Sequence, residues 1–209
     1  MINLLKIEWL KIKNYTAFKV MMIFFIVGVF ALNYIVFTVN KNIVNNVPGA
    51  GLVSFSPYNF ENTWQSTSYA TGFILLLPAL LLLMLFTNEY TFKTHRQNII
   101  DGLSRQQFIS VKIIMAIIFA LVSTLLVLIS ALIFGFASGS TFSFHGILFV
   151  GYFFLKAISY NLIAVLFSVL VKRTGFAIGI FFIYFGSENI VSQLLNVLCM
   201  KLKRDSGTD

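Results

Sequence analysis

Five long apolar runs alternate with polar stretches along this chain: Ala17 to Val39, Tyr69 to Phe86, Ile113 to Ala137, Ile147 to Val171 and Gly175 to Met200. Each is close to the roughly 20 residues a helix needs to cross a bilayer, and longer than the apolar stretches usual in a soluble core. The pattern predicts an all-α, polytopic membrane protein in a single domain spanning residues 1–209. Five membrane helices are expected, or six if the last segment is re-entrant or a final one is missing. Pro78 lies inside the second run. It removes a backbone hydrogen bond and predicts a bend there. The fifth run contains FGSEN, Phe185 to Asn189, which reads as a break between two half-helices or as a fold-back.

Ahead of the first run lies MINLLKIEWLKIKNY, with no A-x-A-like cleavage site, so it is not read as a removable signal peptide. At one hundred degrees per residue, Ile2, Leu5, Trp9 and Ile12 form one seam, while Leu4, Ile7 and Leu10 spread around the rest. Trp9 with Lys6, Lys11 and Lys13 suits a helix lying in the membrane interface, whose lysines meet headgroups at the level of the indole. Residues 1–16 are therefore expected to form an interfacial elbow. The alternative is a plain extension of the first span.

The polar segment NEYTFKTHRQNIIDGLSRQQFISVK, Asn88 to Lys112, is far longer than the few residues needed to join two helices. Its first part, TFKTHRQNII, carries helix formers, and Asp101-Gly102 signals a turn. Ser104 and Gln107 have the spacing of a capping box, which predicts a new helix that starts at Ser104 and runs into the third span. The segment reads as a short helix lying across one membrane face, or as an ordinary basic loop.

Composition agrees with the membrane reading: 58% of residues are hydrophobic, 11% are charged, and mean hydropathy is +0.89. The formal charge of +8 does not require nucleic acid, because basic residues of membrane chains collect in cytosolic loops. Lys6, Lys11, Lys13, Lys19, Lys93, Arg96, Arg105, Lys112, Lys172 and Arg173 fall on one side, with only Lys41 opposite. This asymmetry predicts a cytosolic N-terminus and an external loop from Asn40 to Thr67, with Tyr58 and Trp64 at the interface. Five crossings from that start would leave Lys201 to Asp205 outside, against the same rule.

Several chemistries have no residues to carry them. No glycine is followed by lysine, so the Walker-type phosphate loop is absent and no nucleotide cofactor is expected. The single cysteine, Cys199, makes no internal disulfide, and His95 and His145 fall on opposite membrane sides. No metal site or catalytic constellation is expected. Two charges fall inside spans, Lys156 and Glu188. Counting about 1.5 Å per residue puts Lys156 about 14 Å from one start and Glu188 about 20 Å from the other, at similar depth in a core of about 30 Å. They are candidates for an intramembrane pair, or for a snorkelling lysine beside a wet dip.

The acidic residue ending the second span, the T-x-[KR] stretch, the Gly-x-Ser-Arg turn and the basic start of the third span together resemble permease subunits of ABC-2 type transporters. The N-terminal IEWLKIKNY is similar to that family's elbow helix. The resemblance implies a coupling element at 88–112, with Glu89, Thr91, Phe92, Lys93, Arg96, Ser104, Arg105 and Lys112 serving a separate ABC ATPase subunit. It further implies a second permease subunit, identical or not, around a central path, export as the direction, and the plasma (inner) membrane as the location. The chain departs from the usual six spans of such permeases. A non-transporting immunity or assembly factor is the alternative.

Overall fold

The computed structural model describes residues 2–46, 60–92, 94, 104–139 and 141–205. Seven helices are found among them: α1 (Ile2–Lys13), α2 (Thr16–Asn46), α3 (Phe60–Gly72), α4 (Leu76–Thr91), α5 (Arg105–Ala137), α6 (Leu148–Val171) and α7 (Thr174–Asp205). Parts of α2, α5, α6 and α7 are long and apolar enough to cross a membrane, and α3 with α4 forms a fifth, bent candidate. The chain is an all-helical, polytopic membrane protein.

The bend between α3 and α4 measures 41° and lies at Phe73 to Leu75, one turn before Pro78 rather than at it. A proline excludes the carbonyl four residues earlier from its α-helical bond. That carbonyl, Ile74 O, instead accepts from Leu77 N–H at 3.0 Å, and the preceding turn tightens in the same way, with Ile74 N–H on Thr71 O at 3.1 Å.

Two expectations fail at the loop before this bend. α2 continues to Asn46 and α3 begins at Phe60, so both ends of the predicted loop from Asn40 to Thr67 are helical. Polar residues do not stop α3 because the helix itself satisfies them: Thr67 Oγ1 donates to Thr63 O at 2.8 Å. Trp64 is buried rather than interfacial, and its indole N–H donates to Ser143 O at 2.9 Å. Phe60 beside it packs edge-on against Phe136 and Phe142 and lies over Gly135, where an added Cβ would approach the Phe60 ring to 2.8 Å.

The bundle is organised around α4 and α6. The buried residues of α6, Val150, Phe153, Ala157, Tyr160, Asn161, Ala164, Val165 and Ser168, recur at helical spacing and form one stripe. Small residues within it let neighbouring backbones approach. Ala157 and Ala164 pack with Ala79 and Leu83 of α4, Ala120 and Val127 of α5, and Phe181 of α7. The large apolar side chains Leu148, Leu155, Leu162, Leu166 and Leu170 face outward. Such a helix, small and polar inside and oily outside, is built for lipid. Asn161 is tolerated in the stripe because its Nδ2 donates to Ala116 O at 3.0 Å.

α6 stops at Lys172, which caps it at φ 55°, and two residues later α7 begins. So short a link makes α6 and α7 antiparallel neighbours. The predicted break at Phe185 to Asn189 does not form, since α7 is continuous from Thr174 to Asp205. Ser187 and Glu188 find partners without one: Ser187 Oγ donates to Tyr184 O at 2.8 Å, and Glu188 meets Tyr160 and Lys156 on α6.

Candidate functional site

Both ends of the predicted coupling element are described, although Lys93, Arg96 and the stretch 95–103 lie outside the described residues. At its end, Ser104 caps α5: its hydroxyl accepts from Gln107 N–H at 3.2 Å, and the Gln107 side chain accepts from Ser104 N–H at 3.1 Å. This is the capping box the spacing predicts. Arg105, Thr91 and Phe92 are exposed around these ends. Thr91 Oγ1 donates to Thr87 O at 3.1 Å.

Lys112 behaves differently. Its side chain is 3% exposed and its ammonium donates to Glu8 Oε2 at 2.9 Å and to Glu89 Oε1 at 2.6 Å. The Phe86 and Phe108 rings lie 4.5 and 5.1 Å from the same nitrogen. Two carboxylates and two aromatic faces thus enclose one cation, which compensates the cost of its desolvation. Lys11 Nζ reaches the other oxygen of Glu8 at 3.2 Å. Burial pushes the Glu8 carboxyl up, but the charges and hydrogen bonds of Lys112 and Lys11 outweigh it and hold the group below the usual carboxylate range.

Three elements meet in this cluster: α1 through Glu8, the end of α4 through Glu89, and the root of α5 through Lys112. The neighbouring Asn88 adds a fourth tie, its Nδ2 donating to Tyr15 OH at 2.9 Å and its Oδ1 accepting from Thr174 Oγ1 at 3.4 Å. A cleft of about 230 Å³ lies alongside, lined by Lys11, Ile12, Tyr15, Leu85, Phe92 and Thr94 among others.

Glu8 was not among the residues singled out by sequence. The face of α1 that packs inward is Leu5, Glu8 and Ile12, whereas Trp9, Ile7 and Leu10 point away from the bundle. The predicted seam through Trp9 is corrected by about one position, because Lys112 draws Glu8 inward. Trp9 meets Phe18 edge-on at 6.1 Å, and Lys6, Lys11 and Lys13 are exposed. A signal was present: Glu8 is the sole acidic residue among the first sixty.

At the opposite end of the bundle, Lys156 Nζ lies 3.8 Å from Glu188 Oε1, with side chains 43% and 38% exposed. Tyr160, one turn along α6 from Lys156, was also missed by sequence. Its hydroxyl donates to Glu188 Oε2, and its ring lies 5.3 Å from the Lys156 ammonium.

No curated protein and no solved structure matches the chain. The sequence matches the family model described as "ABC-2 family transporter protein" over residues 4–188. With a short helix ahead of its candidate spans and a polar segment rooted in α4 and α5, and with that match across most of its length, the chain belongs to the ABC-2 family of transporter proteins.

Proposed function

We propose that this chain is the permease subunit of an ABC exporter, drawing its energy from a separate ATPase subunit that engages the segment between α4 and α5 on the cytosolic side. The observation that carries this reading is the burial of Lys112 between Glu8 and Glu89. It joins both roots of that segment to the elbow, so a push on the segment moves α1, the end of α4 and the start of α5 together. Breaking a buried ion pair costs about 3–5 kcal/mol. The cluster therefore resists yielding under such a push. The bend at Phe73 to Leu75 supplies the compliant point, where α4 can tilt against α3.

In this mechanism closure of two ATPase subunits displaces the segment, α4 and α5 tilt with the elbow, and a path shared with a second permease subunit opens outward. Exposed Arg105, with Arg96 and Lys93, contacts the ATPase, while buried Lys112 transmits rather than touches. The N-terminus lies in the cytosol, at the plasma membrane, as the distribution of basic residues argues.

The test is co-purification with any P-loop ATPase found encoded beside this chain, followed by ATPase stimulation in proteoliposomes. The double variant Arg96→Glu/Arg105→Glu is expected to lose both the complex and the stimulation while keeping the elution profile of the folded chain. Retention of both by the double variant counts against the coupling role. An adjacent ATPase that never co-purifies with the unaltered chain favours a non-transporting immunity or assembly role instead.

A further inference from the structure

A cleft of about 270 Å³ opens between α3 and α6, at the end of the bundle away from the Glu8, Lys112 and Glu89 cluster. Its walls are aromatic: Phe153 is buried, while Tyr69 and Tyr152 are exposed and mark the rim. Two polar groups line it. Lys156 brings an ammonium, and Ser68 brings a hydroxyl.

Ser68 is unusual among its kind. In the other helices hydroxyls bond back into their own backbone: Thr87, Ser123, Thr124 and Ser159 each donate to the carbonyl four residues earlier. Ser68 is 8% exposed, and its Oγ has no hydrogen-bond partner among the described residues. A buried hydroxyl left unpaired is destabilising, because it has given up its hydrogen bonds to water. A polar ligand in the cleft would relieve that cost.

Lys156 is likewise only loosely held. Its contact to Glu188, at 3.8 Å, is long for a charge-assisted hydrogen bond, and Glu188 keeps a second partner in the Tyr160 hydroxyl. An incoming anion can therefore take the ammonium without leaving Glu188 bare. The volume is just below that of drug-sized sites, enough for a head and part of one chain.

We propose that this cleft binds an anionic amphiphile, its carboxylate or phosphate head on Lys156 and Ser68 and its chain along Phe149, Tyr152 and Phe153. The site does not depend on pairing with an ATPase, and it is tested without one.

The full chain in phosphatidylcholine nanodiscs is irradiated with a long-chain fatty acid bearing a diazirine in its tail, and separately with the matching fatty alcohol. Labelled peptides are mapped by mass spectrometry. The acid labels the segments around Gly72 and Phe149 to Phe153, and the alcohol labels them far less. Lys156→Gln lowers labelling by the acid by about tenfold, and Ser68→Ala by about two- to fivefold, the loss expected for a charged and a neutral hydrogen bond respectively. Lys156→Arg retains it. Glu188→Gln raises it by removing the competing carboxylate, an effect a purely structural lysine would not produce.

A second variant leaves every charge in place. A Cβ added at Gly72 meets nothing within 4 Å, so Gly72→Leu starts in open space and fills the cleft, and it abolishes labelling even if Lys156→Gln does not fold. Equal labelling by the alcohol, or labelling unchanged by both Lys156→Gln and Gly72→Leu, overturns the site. Two sources share this chemistry and competition separates them. Loss of labelling in phosphatidylglycerol nanodiscs assigns the site to a membrane phospholipid headgroup, and undiminished labelling there assigns it to a single-chain acid.

Discussion

Among the described residues lysine meets glutamate in two separate clusters, one around Lys112 and one at Lys156, and the two differ in everything except their chemistry. Lys112 is enclosed, with two carboxylates within 2.9 Å, while Lys156 stands 3.8 Å from one, more than a third exposed. Burial separates them. An enclosed ammonium has lost its water and depends on its partners, so it behaves as a fastener. An open one keeps other options, so its partner can be exchanged. The enclosed lysine joins three elements that the proposed coupling would move together, and the open one lines a cleft.

The comparison breaks most directly at Lys112. Replacing it with methionine leaves Glu8 and Glu89 buried together without their shared cation, and thermal unfolding in detergent is expected to show a loss of about 3–5 kcal/mol. Changing Glu8 and Glu89 to glutamine in the same chain should recover much of it. A Lys112→Met protein as stable as the original would mean that the cluster holds nothing together.

Acid tests the same fastener from the carboxylate side. The Glu8 carboxyl is held below its ordinary value of 4.5 by Lys112 and Lys11, against burial. A group whose folded value is depressed adds stability that is complete above the unfolded value and is lost as pH falls through the folded one. The part of the attachment of α1 that Glu8 supplies, followed by protection of α1 from acid-active protease, should therefore decline as pH falls below 4.5. Glu8→Gln should remove that decline. A variant protein that still shows it would place the titrating group elsewhere.

The smallest effect is expected at the open pair. Lys156→Gln should change the unfolding free energy by no more than about 1 kcal/mol, since exposed ion pairs rarely contribute more. A loss as large as that at Lys112 would erase the distinction drawn between the two ends.

Sequence by itself determined the parts of this protein that depend on near neighbours or on the thickness of a bilayer. The apolar runs appear as spans because an unpaired backbone cannot stay in hydrocarbon, and helices satisfy their own groups. The capping box at Ser104 and Gln107 needs only four residues, and Pro78 bends its helix wherever it packs. Even there, local chemistry left the position of the bend to the turn that absorbs it.

Tertiary structure alone decided what depends on distant partners. Glu8 turns inward because of a lysine 104 positions away. Trp64 is buried because Ser143 offers its carbonyl, although indoles in polar loops ordinarily seek the interface. FGSEN stays helical because Tyr160 and Lys156 on α6 receive Glu188. The unpaired hydroxyl of Ser68 has no counterpart in any local pattern at all. In each case a polar group in an oily setting has to find a partner, and which one it finds is settled by how the helices pack, not by the residues beside it.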